Sequence, residues 1–102
     1  MKLASPFFLL ARDILAVPAG ATEHPGIPAD RITGLAARIA VLADTIQGFL
    51  PLNTVNLRAT ADALHSLHRD VGLTPDEARQ LAGYISGTGA LVALREPEET
   101  GQ

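Results

Sequence analysis

The stretch ITGLAARIAVLADTIQGF, residues 32–49, decides how this chain folds. Its large apolar side chains are Ile32, Leu35, Ile39, Leu42, Ile46 and Phe49, separated by alternating steps of three and four. That is the period at which one strip of an α-helix turns toward a core. Ala36 and Ala43 widen the strip, while Arg31, Arg38 and Thr45 flank it. Read as heptads, Ile32, Ile39 and Ile46 take the a positions and Leu35, Leu42 and Phe49 the d positions. Ile at a with Leu at d suits two-stranded coiled coils. A core helix in any bundle shows the same stripe, however, and fewer than three heptads are present. The helix is expected over about 28–48, opening near Pro28, with Asp30 in the first turn where a carboxylate complements the helix dipole.

Toward the C-terminus, Phe49-Leu50-Pro51-Leu52-Asn53-Thr54 turns the chain, because Pro51 cannot continue a helix. Asn53 or Thr54 is the expected cap of the next helix, about 54–71, with Leu57, Ala61, Leu64, Leu67 and Val71 inward. Gly72 is its natural stop. Thr74-Pro75-Asp76-Glu77 reads as a capping box with proline at the first helical position. It opens a helix over about 75–86 that buries Ala78, Leu81, Ala82 and Ile85. Ser86-Gly87-Thr88-Gly89 should weaken or end that helix, since an interior glycine costs about 1 kcal/mol relative to alanine. Residues 87–95 are left open between helix and extended segment.

Toward the N-terminus, Pro18, Gly20, Pro25, Gly26 and Pro28 mark a connecting loop. Before it, Phe7, Leu10, Ile14 and Val17 recur at helical spacing, with Phe8, Ala11 and Leu15 beside them. Ser5-Pro6 suits the start of this short helix, Ser5 as cap. The segment also loosely imitates a secretory signal, with Lys2, the apolar run Leu3–Leu10 and Ala19-Gly20-Ala21. Arg12 and Asp13 interrupt it where a signal core is uncharged, so the reading adopted is a native helix in a cytoplasmic protein. No run approaches the roughly 18 apolar residues of a membrane span.

The expected fold is all-α: a compact bundle of three principal helices plus a shorter N-terminal helix, as a single domain over residues 1–95. Residues 96–102 read as a disordered acidic tail. A chain of 102 residues supports one domain.

Composition narrows the function classes. Net charge is −3 and the eight basic residues are scattered, whereas nucleic-acid binding calls for a concentrated positive field. The chain has no cysteine, so it has no disulfide, thiolate metal site or cysteine nucleophile. Asp62, His65 and His68 share neighbouring strips of one helix and could begin a metal site. Three or four ligands are needed, though, and the remaining histidine, His24, lies in the proline-rich loop, so no metal and no cofactor is expected. Ser66 between two histidines is not a catalytic pair, because adjacent helical positions point apart. The glycines at 87 and 89 follow a helix and have no nearby lysine, which fits a helix end better than a phosphate cradle.

Two features remain. Residues 64–86 have the rhythm of a helix-turn-helix, but Asp76 and Glu77 occupy the end of the second helix that would meet DNA. The first helix is apolar almost all round, and helix two adds Ala37, Ala40 and Val41 away from its seam, more apolar surface than a small monomer readily buries. The preferred reading is a non-enzymatic interaction module (an adaptor, inhibitor or assembly subunit) that is a homodimer or binds another protein. Its expected contact residues are Phe7, Phe8, Leu10, Ile14, Ile32, Leu35, Ile39, Leu42, Ile46 and Phe49. A DNA-binding regulator using residues 64–86 is the alternative, and a small helical enzyme or ligand-binding domain completed on assembly is the third.

Overall fold

The computed structural model describes residues 3–96. They form an all-α bundle of four helices: α1 (Ser5–Leu15), α2 (Ile32–Ile46), α3 (Pro51–Ala63) and α4 (Pro75–Arg95). The acidic tail read at 96–102 lies, apart from Glu96, outside the described residues.

Each helix begins where local chemistry allows, with some shifts from the sequence reading. In α1 the cap is Ala4 and Ser5 is already helical, so Pro6 sits in the first turn, where its missing N–H is harmless. The helix stops at Leu15, because Pro18 disfavours helical backbone just ahead of it. Val17 is therefore outside the helix and exposed rather than part of its buried stripe. A short 3₁₀ turn, Ala29–Arg31, leads into α2 and carries Asp30.

Helix α3 starts at Pro51, earlier than the expected cap at Asn53 or Thr54. Proline is favoured at a first helical position, which leaves Thr54 one turn inside. There it is buried and its hydroxyl donates to Leu50 O at 3.0 Å and to Ala43 O at 3.4 Å, tying α3 to α2. Leu57, Ala61 and Leu64 point inward as expected, but Leu67 and Val71 are 70% and 75% exposed. The cause is a π-helical turn over Leu64–His68. In this wider turn each residue advances by less than the usual 100°, so Leu67 lags off the core stripe.

The capping box at α4 forms as read: Glu77 N–H donates to the Thr74 hydroxyl, and Thr74 N–H to the Glu77 carboxylate at 2.8 Å. The helix does not end at the glycines but continues to Arg95. Gly89 is where α1 crosses closest, since a Cβ there would lie 2.7 Å from Phe7 Cβ and 3.2 Å from the Phe8 ring. Close helix–helix packing offsets the weak propensity of glycine. It also buries Thr88, whose hydroxyl donates to Tyr84 O, and Val92 one turn on.

Helix α1 packs along α4, and α2 along α3. Each pair mixes one helix from the first half of the chain with one from the second. The halves are further joined by an antiparallel bridge, in which Ile27 and Leu73 exchange N–H···O bonds of 2.8 Å. Gly26 (φ +88°) and Gly72 (φ +78°) precede the bridging residues. A Cβ on Gly26 would sit 2.2 Å from Leu73 O, and one on Gly72 2.2 Å from Ile27 O. Both positions therefore need glycine, for conformation and for space. Two histidines brace this crossing. Gly26 N–H donates to His24 Nδ1 at 2.9 Å, so the proton of the neutral ring is on Nε2 and is donated to Ile14 O. His68 Nδ1 pairs with Gly72 O at 3.0 Å.

Candidate interaction site

The ten expected contact residues fall in two groups. Phe7, Ile32, Ile39 and Ile46 are fully enclosed by the chain's own helices, and Phe49 packs half-buried against the same core. Phe8, over the α1–α4 crossing, is 37% exposed. Leu10, Ile14, Leu35 and Leu42 are also buried, but they form the floor and walls of a cleft between α1 and α2.

The cleft exists because α1 and α2 are held mainly by other neighbours, α4 and α3, and touch each other only lightly. It has two compartments that share Leu10 and Arg38. The first, about 450 Å³, has an apolar floor of Leu10, Ile14, Ile27 and Leu35 and a charged rim of Asp13, Asp30, Arg31 and Arg38. Gly34 opens its wall, because nothing lies within 4 Å of where its Cβ would be. The second, about 320 Å³, is almost wholly apolar, lined by Pro6, Leu9, Leu10, Ala37, Val41 and Leu42 beside Arg38. Leu9 and Val41 expose 46% and 60% of their surface here.

Among the described residues an ion pair crosses the cleft, Arg38 Nη1 to Asp13 Oδ2 at 3.1 Å, with both side chains about half exposed. A pair that open to solvent contributes at most about 1 kcal/mol, so it marks the boundary between compartments without locking them.

The heptad period does not pick out Leu9 and Val41, which lie off the seam. The surplus apolar residues Ala37 and Val41 on α2 are the sequence signal that points here. Ile27 carries no signal of this kind; it reaches the floor through the bridge to Leu73.

The remaining candidates are placed as follows. Among the described residues no three His, Cys, Asp or Glu side chains converge in a way that could hold a metal ion. The His68 ring is engaged with Gly72 O rather than turned to Asp62 or His65. In the segment read as a helix-turn-helix, Arg79 is paired with Asp76 at the α4 N-terminus, and Arg69 lies 3.9 Å from Asp70. The Glu77 carboxyl is held below its ordinary value, chiefly by the Thr74 backbone N–H, so that end of α4 keeps its negative charge. Among the described residues no helix is long and apolar enough to cross a membrane. No family model matches the chain, and no curated protein or solved structure is significantly similar to it.

Proposed function

We propose that this protein is a small non-enzymatic interaction module that docks an apolar helical segment of another protein in the α1–α2 cleft. The observation that carries this reading is the second compartment, an apolar trough with Leu9 nearly half and Val41 more than half exposed at its lip. Amphipathic helices are commonly bound in such grooves, through side chains at i, i+3, i+4 and i+7. The charged rim of the first compartment, with both signs present, sets orientation more than affinity.

The test is a titration of the full chain with a neutral Leu/Gln amphipathic helical peptide, followed by amide chemical shifts. Shifts should centre on Leu9, Ala37 and Val41. Val41→Asp should weaken binding at least about tenfold, a loss of about 1.4 kcal/mol, and leave the melting temperature unchanged. Equal binding by that variant, or no binding at millimolar peptide, would sink the reading.

A further inference from the structure

A long exposed apolar face of the molecule lies on α3, on the side turned away from α2. Leu52, Val55, Ala59, Ala63 and Leu67 are all exposed, and Val71 follows in the turn beyond. The spacing of three or four residues sets Leu52, Val55, Ala59 and Ala63 on one strip of α3. The π turn keeps Leu67 on that strip by the same lag that removes it from the core.

From this strip we infer that a second copy of the chain docks antiparallel, α3 against α3, about a two-fold axis between Ala59 and Ala63. This deepens the interaction-module reading by naming one partner, but it uses a different face from the cleft. The strip reads the same in both directions: two alanines at the middle, Val55 and Leu67 four residues outside them, and Leu52 and Val71 beyond. Such a pattern is self-complementary under the isologous symmetry that most homodimers use. Small residues at the crossing let the two backbones approach, while Val55 of each copy meets Leu67 of the other.

Charge agrees with the same register. Arg58 and Asp62 lie on one flank of the strip, so the two-fold axis sets Arg58 of one copy opposite Asp62 of the other. Arg58 bonds Asp44 and Gln47 within the chain, but its guanidinium has five donors. Asp62 has no partner among the described residues.

The area is also of the right order. A Leu or Val side chain carries on the order of 100 Å² of apolar surface, so Leu52, Val55, Leu67 and Val71, 62–79% exposed, offer roughly 300 Å² per copy. A standard interface buries about 800 Å² per partner, roughly three-fifths of it apolar. The strip supplies more than half of that apolar requirement before its rim is counted, which suits a weak dimer populated at high micromolar concentration.

Sedimentation equilibrium of the full chain should show monomer–dimer exchange, which Val55→Glu should abolish without lowering the melting temperature. Because the chain has no cysteine, register can be read from disulfides. Ala59→Cys mixed with Ala63→Cys should cross-link between unlike copies in several-fold higher yield than either variant alone. A strict monomer at all concentrations, or a dimer that survives Val55→Glu, or equal yields from like and unlike copies, would overturn the proposal. Val41→Asp alters only the cleft and Val55→Glu only the strip, so failure of either reading leaves the other standing.

Discussion

Helices α2 and α3 carry apolar residues at the same helical spacing, yet their stripes have opposite fates. On α2 the stripe Ile32, Leu35, Ile39, Leu42 and Ile46 is buried within the chain. On α3 an apolar strip of similar length faces solvent, and the buried strip behind it is thinner: Thr54, Leu57, Ala61 and Leu64. Periodicity thus identifies a helical face without saying whether that face meets the chain's own core. The deciding fact is how many elements compete for it. Helix α2 stands between α3 and the cleft to α1, whereas α3 has α2 on one side and solvent on the other.

The sharpest way to break this contrast is Ile39→Asp. Ile39 is fully enclosed, and an unpaired carboxylate there should cost more than about 4 kcal/mol. Circular dichroism should show loss of the cooperative melt, and a folded monomer from this variant would mean that the α2 stripe is not core. The bridge between the halves comes next. Gly26→Ala and Gly72→Ala each add a methyl group where a carbonyl already stands, at a left-handed backbone position, and should cost more than about 2 kcal/mol in urea unfolding. A loss below 0.5 kcal/mol, of order the surface background, would show that the crossing is not tight.

Thr74→Ala removes one arm of the capping box and should cost about 1 kcal/mol. The box also has a pH signature. The Glu77 carboxyl is depressed by the Thr74 N–H in the folded state, so its stabilisation is complete above the ordinary value of 4.5 and fades as pH falls below it. Thr74→Ala keeps that backbone N–H, so the test is Glu77→Gln, which should differ from wild type less in acid than at neutral pH. The smallest effect belongs to the outer strip: Leu67→Ala, at 70% exposure, should change monomer stability by less than about 0.5 kcal/mol. A larger loss would place Leu67 in the core after all.

Much of the fold was legible where one residue type has one local consequence. Pro75 after Thr74 starts α4, Gly72 ends the run before it, and the α2 period defines a core face. Features that depend on distant partners were not legible. Gly87 and Gly89 read as a helix end because propensity is local, and the benefit of Gly89 comes from Phe7, far away in the chain. The π turn has no residue signature, so periodicity alone places Leu67 and Val71 in the core. The cleft was visible only as a surplus of apolar residues on the first two helices. Its position depends on α1 choosing α4 and α2 choosing α3, which spacing within one helix cannot reveal.

The paired glycines at the bridge carry a consequence for the cooperativity of unfolding. Each leaves room for the other strand's carbonyl, so neither loop can adopt its native path unless the other already has. The Ile27 and Leu73 amides should then exchange with deuterated solvent with one common opening free energy, and only when both halves of the molecule come apart. A chain laid out as two helix pairs would in that case open as one unit, with the crossing of two short loops as its latch.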